Sequence, residues 1–260
     1  MARAEMARVA LVTGGASGIG AGAARQLARD GWAVAVNFRS RAEDAARLVA
    51  ELRAAGADAE AFRADMAEPG EIEALFASVD ARFGRLDGLV NSAGIGLPRA
   101  LVAEFDAASL TRLMAVNVIG VMLCGREAAR RMAKSAGGRG GVVVNVGSMA
   151  GTIGGRPGNA HYATSKAALD SFTVGFAKEV AGDGIRVVCV RPGVIRTDMT
   201  AGNLADPGFA ATVAASIPMG RAGTVEEAAA PIAWLMSDAA SFITGCTLDI
   251  SGGGFHIARG

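Results

Sequence analysis

The sequence is poor in the residues that build metal centres and disulfide frameworks. Its 260 residues include three cysteines, which lie far apart, and two histidines. We interpret Cys124, Cys189 and Cys246 as small buried thiols in a reducing compartment, because an odd number of dispersed cysteines in apolar surroundings does not make a disulfide frame. Neither histidine has a cysteine cluster nearby, so we predict no metal site.

Neither sign of charge is in excess, and long apolar runs are scarce. The 26 Lys and Arg against 25 Asp and Glu offer no broad basic face for nucleic acid. No apolar run approaches the roughly 18 residues of a membrane span. The N-terminus carries Arg3, Glu5 and Arg8, which is unlike a signal peptide. We predict a soluble, cytoplasmic protein that binds neither nucleic acid nor membrane.

The chain does contain 51% hydrophobic residues and 36 glycines, arranged as short apolar runs that alternate with Ala-rich segments of helical spacing. Continuously apolar runs suit strands buried on both faces, and β–α alternation implies a parallel sheet. We predict an α/β fold, with one doubly wound Rossmann domain over residues 1–260 and a parallel sheet of about seven strands. The strands are expected at Val9–Thr13, Ala33–Phe38, Ala59–Arg63, Leu86–Asn91, Gly141–Val146, Ile185–Val190 and Thr247–Ile250.

Residues 198–220 are interpreted as a substrate loop. The part from Ala201 to Phe209 has few strand or core signals, which is typical of an exposed loop or lid.

The first strand runs directly into a glycine-rich turn, after which a helix begins. Glycines allow a tight turn and a close approach by phosphate, and a helix N-terminus supplies N–H groups and a positive dipole end. The spacing is G-x-x-x-G-x-G rather than the commoner G-x-G-x-x-G, but its position between strand and helix predicts dinucleotide binding. The contacts are expected from Gly14, Ser17, Gly18, Ile19 and Gly20.

The end of the second strand indicates which of the two nicotinamide dinucleotides the protein binds. A chain that binds NAD offers a carboxylate to the adenosine ribose about 20 residues beyond the glycines. Here the strand ends Asn37-Phe38-Arg39-Ser40, without a carboxylate. A guanidinium and a hydroxyl suit a 2′-phosphate, so Arg39 and Ser40 predict a preference for NADP(H), with NAD(H) possible. The alternative is an ordinary surface arginine.

Tyr162 is the only tyrosine, and Lys166 is one of three lysines. Residues four apart share a helix face, and a cation there lowers the phenol pKa from its usual value of about 10. A tyrosine so tuned can act as a general acid or base near neutral pH. By itself the pair is also compatible with a surface tyrosine beside a solvated lysine, and the rest of the chain favours catalysis.

Several motifs occur in order along the chain and resemble the short-chain dehydrogenase/reductase family. They are Thr13-Gly-Gly-Ala-Ser-Gly-Ile-Gly20, Asn91-Ser-Ala-Gly94, Tyr162-x-x-x-Lys166 and Arg191-Pro-Gly193, and the resemblance covers nearly the whole length. It implies an enzyme that transfers hydride between a nicotinamide and a carbonyl/secondary alcohol pair. Similar members include 3-oxoacyl-carrier-protein reductases and glucose dehydrogenases, so a 3-oxoacyl thioester, a sugar or a small ketone is expected as substrate.

The sequence departs from the family pattern twice. Ser92 stands where a second asparagine is usual, and the fourteen residues from Ser148 to Tyr162 are about one more than is common. Because the intervening segment is rich in glycine and borders the substrate, the second departure bears on selectivity.

The resemblance also implies the role of each matching residue. Tyr162 exchanges a proton with the substrate oxygen, and Lys166 holds the nicotinamide ribose and keeps the phenol acidic. Ser148 hydrogen-bonds the substrate oxygen, and Asn117 anchors a water that relays protons to Lys166. The other implied cofactor contacts are Asp65 and Met66 at the adenine, Asn91, Ala93 and Gly94 at the ribose, and Pro192, Gly193, Ile195 and Thr197 at the carboxamide.

Assembly and partners are less constrained by the sequence. The resemblance implies a homotetramer or homodimer with Phe255–Gly260 near a second interface, and the apolar segments Leu110–Met132 and Ala163–Val180 suit packing between subunits. His161 is expected at a loop edge or at the substrate rim rather than as an extra acid or base. One cluster of cations fits either an acidic carrier protein or a solvated helix end: Arg99, Arg130, Arg131, Lys134 and Arg139.

A function of another class stays open, namely a cofactor-binding regulator or scaffold without turnover. Such a chain is expected to have lost Ser148, Tyr162 or Lys166, and all three are present.

Overall fold

A seven-stranded parallel sheet forms the centre of the computed structural model, which describes residues 7–254. The strand order is β3-β2-β1-β4-β5-β6-β7, and every neighbouring pair is parallel. The predicted doubly wound α/β fold is therefore confirmed. The strands are β1 (Val9–Thr13), β2 (Ala33–Phe38), β3 (Ala59–Arg63), β4 (Gly88–Asn91), β5 (Gly141–Val146), β6 (Ile185–Pro192) and β7 (Cys246–Ile250).

Helices cover both faces of the sheet, which explains why the central strands are continuously apolar. In β1, Val9 and Leu11 face one hydrophobic core while Ala10 and Val12 face the other. The helices are α1 (Gly18–Arg29), α2 (Ala42–Ala54), α3 (Pro69–Phe83), α4 (Ala107–Met114), α5 (Gly120–Met132), α6 (Ala150–Ile153), α7 (Ala160–Val180), α8 (Asp198–Leu204), α9 (Pro207–Ser216) and α10 (Val225–Met236). Helices α3, α5 and α7 pack on the first core, and α1, α2 and α10 on the second.

Helices α4 and α5 are joined by a π-helical stretch, Ala115–Ile119, into one helical segment of 26 residues. Within residues 7–254 this is the one helix that is long and apolar enough, by length and composition alone, to cross a membrane. In its most apolar window, 39% of the residues are buried inside the protein. The core helix of a globular protein meets the same criterion, so this is weak evidence for a span.

The stretch predicted as an exposed loop is instead helical. Thr197 caps α8, and the Asp206 carboxylate caps α9 by accepting a hydrogen bond from the Phe209 N–H at 2.6 Å. Pro207 occupies the first turn of α9, where its missing N–H costs nothing. Caps followed by proline are helix start signals that outweigh the lack of an apolar stripe.

The cysteines divide between core and surface. Cys124 and Cys189 are buried, as the sequence predicted, whereas Cys246 is exposed. Cys246 begins β7, an edge strand, and an edge strand is covered on fewer sides than a central one.

The connection order reverses between β1 and β4, which are neighbours although β2 and β3 intervene in the chain. In open parallel sheets, ligands bind at this switch point, outside the carboxyl ends of the strands. The segments that follow β1, β4, β5 and β6 therefore meet at one edge.

Candidate active site

Two adjoining cavities open at this edge of the sheet. The larger, of about 400 Å³, is bounded by the glycine-rich turn, the ends of β4 to β6, and α7. The smaller, of about 160 Å³, lies beyond the ends of β2 and β3, and both cavities are lined by Gly14, Ser17, Arg41, Ala93 and Gly94. Of the predicted site residues, the larger cavity also has Gly18, Ile19, Ser148, Tyr162, Lys166, Pro192, Gly193, Ile195 and Thr197, and the smaller has Arg39, Ser40, Asp65 and Met66.

The glycine-rich turn is held tightly against its neighbours. Gly14 has a positive φ of 60°, and a Cβ there would lie 2.8 Å from the backbone of Ala93. A Cβ on Gly20 would lie 2.5 Å from the Gly14 oxygen, so Gly20 supports the turn from below and does not line the cleft. The Asn37 side chain, which sequence reasoning missed, accepts a hydrogen bond from the Gly14 N–H at 3.2 Å.

Lys166 is a buried cation on α7. Its Nζ donates a hydrogen bond to the carbonyl of Val146, the last residue of β5, at 2.8 Å. Burial lowers the pKa of the Lys166 ammonium to about 8. The same Nζ lies 5.9 Å from the centre of the Tyr162 ring, so the two side chains lie close together, as their spacing predicts.

The predicted lowering of the Tyr162 pKa is wrong in this structure. Burial raises the pKa of the phenol, and interaction with the Ser148 hydroxyl opposes the rise only in part. The Lys166 ammonium is itself desolvated and is bonded to Val146, so it does not offset the burial of the phenol. Ser148 is oriented by the Ala150 N–H, which donates to its Oγ at 3.1 Å.

Asn117 lies behind the cleft rather than in its wall. Its Oδ1 accepts from the Ile95 N–H at 2.8 Å, and its Nδ2 donates to the Ile95 carbonyl at 2.9 Å. Nδ2 also lies 3.1 Å from the Ser165 hydroxyl, which donates to the Tyr162 carbonyl at 2.8 Å. A Cβ on Gly94 would meet the Lys166 Nζ at 3.4 Å and the Asn117 Oδ1 at 3.5 Å, so these groups converge on Gly94.

Asn91 is also buried below the cleft. Its side-chain N–H donates to the Asn145 oxygen at 2.9 Å, and Asn145 donates to the Thr173 hydroxyl at 2.9 Å. These hydrogen bonds between polar side chains join β4, β5 and α7. Asn91 therefore fixes the strands that carry the cleft, and it does not line either cavity.

Asp65 is held by two donors at the smaller cavity. The Arg112 guanidinium donates to its Oδ2 at 2.6 Å, and the Ala67 N–H donates to its Oδ1 at 2.9 Å. Burial raises the pKa of this carboxyl, but these hydrogen bonds and the nearby Arg39 leave it below its ordinary value. Arg112 and Arg41 line the smaller cavity and were missed by sequence reasoning, because their contacts come from distant segments.

His161 is buried and lines neither cavity, so of its two predicted positions the structure supports the loop edge and not the substrate rim. Its Nδ1 accepts from the Tyr162 N–H at 2.6 Å, which leaves the proton on Nε2, 3.3 Å from the Pro98 carbonyl. Its ring packs 5.3 Å from that of Phe105. His161 thus joins the first turn of α7 to the segment that follows β4.

The lining of the cleft fits a dinucleotide. Its two adjoining cavities join the ends of β2 and β3 to the glycine-rich turn and to the Ser148, Tyr162 and Lys166 side chains, and the absence of a Cβ at Gly94 leaves its floor open. Among residues 7–254 no group of three or more His, Cys, Asp or Glu side chains could hold a metal ion.

Known proteins resemble this chain over almost its full length. A model of the family described as "Enoyl-(Acyl carrier protein) reductase" matches residues 14–256. "Uncharacterized oxidoreductase YgfF" of Escherichia coli (strain K12) is 42% identical over 245 residues, 94% of this chain and 99% of its own. "Cis-4-hydroxycyclohexanecarboxylate dehydrogenase" of Sinomonas cyclohexanicum is 43% identical over 254 residues, 97% and 98% of the two chains.

A solved short-chain dehydrogenase of Burkholderia cenocepacia J2315, in complex with NADP, superposes with a TM-score of 0.88 at 36% identity and covers 96% of this chain and 98% of its own. The chain belongs to the short-chain dehydrogenase/reductase family, as its motifs predict. It is an oxidoreductase acting on CH–OH or C=O groups, in a family that uses nicotinamide cofactors.

The opposing effects on the Tyr162 pKa predict a pH shift for Ser148→Ala. With Tyr162 as the predicted general base, alcohol oxidation needs the deprotonated phenol, so its kcat/KM rises with pH up to the pKa of Tyr162. The Ser148 hydroxyl lowers that pKa, and its loss should move the rising limb to higher pH. The rate at the plateau should fall by about 10²–10³-fold, as for the loss of one hydrogen bond to the reacting oxygen.

The control for this pH profile is Ser78→Ala, which removes a serine hydroxyl on α3 that donates to the Ala74 carbonyl at 2.8 Å and lies outside both cavities. The rising limb of the pH profile could stay in place in Ser148→Ala or shift equally in both variants. Either result would contradict the conclusion that the Ser148 hydroxyl lowers the pKa of Tyr162.

Proposed function

We propose that this protein is an NADP(H)-dependent oxidoreductase that interconverts a carbonyl compound and a secondary alcohol. The observation that carries the proposal is the placement of Ser148, Tyr162 and Lys166 in one cavity that is continuous with the glycine-rich turn. Residues 1–260 would then form a single dinucleotide-binding and catalytic domain, with residues 198–220 beside the substrate.

The side chains of the cleft can perform the proton transfer that accompanies reduction. A bound nicotinamide would supply the hydride. Tyr162 donates its phenolic proton to the carbonyl oxygen, and its raised pKa keeps that proton in place near neutral pH. Ser148 hydrogen-bonds the same oxygen as negative charge develops there. Lys166, with a pKa of about 8, is mainly protonated at pH 7 and would hold the nicotinamide ribose.

Replacing the only tyrosine tests this mechanism. We expect Tyr162→Phe to lower kcat by about 10²–10⁴-fold, the usual contribution of a general acid, and to leave the dissociation constant of the cofactor within a fewfold of wild type. Nicotinamide absorbance against a panel of ketones, 3-oxoacyl thioesters, sugars and alcohols measures the rate. Activity that survives in Tyr162→Phe would show that another group transfers the proton.

The same panel separates the enzyme from a regulator or scaffold. Cofactor binding without turnover on any substrate would support the regulator, whereas turnover excludes it. The presence of all three catalytic side chains in the cleft supports the enzyme.

The structure limits what the cationic cluster can contribute to substrate choice. Arg130 pairs with Glu127 at 3.0 Å, and Arg131 pairs with both Glu127 and Asp80 at 2.7 and 2.8 Å. These pairs involve two of the five cations, so the cluster does not choose between a carrier-bound thioester and a small free ketone, sugar or alcohol. Relatives are named for both classes, one for a hydroxycyclohexanecarboxylate and others for a 3-oxoacyl carrier protein.

The preference for NADP(H) rests on Arg39 and Ser40, which line the smaller cavity beyond β2. A relative in the same family is solved with NADP. We expect Arg39→Asp to weaken NADPH binding by tenfold or more and NADH binding much less, because a carboxylate repels the 2′-phosphate. Titration of each cofactor measures this, and equal losses would mean that Arg39 does not contact the phosphate.

We also propose a homotetramer or homodimer in the cytoplasm. Ile119 and Met122, on the long helix of α4 and α5, and Trp234, on α10, are exposed apolar side chains that suit subunit contacts. The expected interface at Phe255–Gly260 lies outside the described residues. Light scattering should give a mass of two or four chains, and a stable monomer at micromolar concentration would contradict this.

A further inference from the structure

An ion pair crosses the cleft between its two sides. Arg41, at the start of α2, contacts the carboxylate of Asp198, the first residue of α8. Arg41 lines both cavities, and Asp198 lines the larger one. The nucleotide side of the cleft is therefore joined to the helix that borders the substrate.

This pair is open to exchange of partners. The side chains of Arg41 and Asp198 are 47% and 66% exposed, and ion pairs at such exposure contribute little to stability. A phosphate offers a guanidinium more charge and a bidentate partner, so it is the stronger competitor. Asp44, the other carboxylate near Arg41, lies on α2 itself at 3.7 Å, so it leaves the guanidinium close to the cleft.

The sequence position of Arg41 indicates which phosphate it would meet. Arg41 follows Arg39 and Ser40 directly, and all three line the smaller cavity at the end of β2. That cavity is where the ribose of the adenosine is expected, and its 2′-phosphate distinguishes NADP(H) from NAD(H).

We propose that Arg41 is a second residue that binds the 2′-phosphate, and that Asp198 competes for it. Asp198 thereby weakens NADP(H) binding, and the arrival of the 2′-phosphate releases the start of α8. The proposal rests on the NADP(H) preference proposed above. In addition, it makes Asp198, which lies on the substrate side of the cleft, one of the residues that determine which cofactor binds.

Four proteins test the competition: wild type, Asp198→Asn, Arg41→Gln and the double variant. Fluorescence or calorimetric titration gives the dissociation constants of NADPH and NADH without any substrate. Asp198→Asn should tighten NADPH by about three- to tenfold, and Arg41→Gln should weaken it by about tenfold, as expected for one charge-assisted hydrogen bond. NADH binding should stay near wild type in both.

The double variant supplies the decisive comparison. If Asp198 acts through Arg41, Asp198→Asn should have no effect on NADPH in the Arg41→Gln background. A tightening that persists there, or one that is equal for NADPH and NADH, would overturn the proposal. It would indicate general charge repulsion or a contact of Arg41 with the pyrophosphate that both cofactors share.

A matched control removes a similar pair at the opposite end of the sheet. Arg8 and Asp238 form an exposed ion pair at 2.9 Å, and Asp238→Asn should leave both cofactors unchanged.

The same titrations distinguish failure of the NADP(H) preference from failure of the competition by Asp198. If wild type binds NADPH and NADH equally, and Arg39→Asp affects both alike, the proposed NADP(H) preference fails. If wild type prefers NADPH and Arg39→Asp weakens NADPH more than NADH, but Asp198→Asn has no effect, only the competition fails.

Discussion

The hydrogen bond from the buried Lys166 ammonium to the Val146 carbonyl is the contact on which the cleft depends. A buried cation requires a polar partner, and this one fixes α7 against the carboxyl end of β5. The same requirement restricts the segment after β4, because a side chain at position 94 would fill the space beside the ammonium and Asn117. The glycine motif, the lysine and the asparagine are thus parts of one packing arrangement.

Burial sets the chemistry as well as the packing. It raises the pKa of Tyr162 and lowers that of Lys166 to about 8, so the two values move apart. In this form the phenol is a proton donor at neutral pH, which suits carbonyl reduction. A base for alcohol oxidation requires either higher pH or added positive charge beside the phenol, and an oxidised nicotinamide ring carries such a charge.

Sequence patterns predicted every strand to within two residues at each end, because strands buried on both faces must be continuously apolar. The motifs also predicted most of the cleft wall. Asn91 and Asn117 belong to the same motifs but lie below the wall, since a motif shows which residues occur together and does not show which of them face the ligand. The helices α8 and α9 were missed because their caps, rather than an apolar stripe, define them.

Sequence patterns did not predict interactions between segments that are distant along the chain. Arg41 and Asp198 are 157 residues apart, and each alone is an ordinary surface residue near a helix start. The topology brings them together, because the segments after β2 and β6 end at the same edge of the sheet. A weak exposed pair at that place matters more for selection than for stability, because a phosphate is a stronger partner for the guanidinium than a carboxylate is. Charge that is loosely held across a cleft is therefore a route by which the substrate side can influence which nucleotide binds.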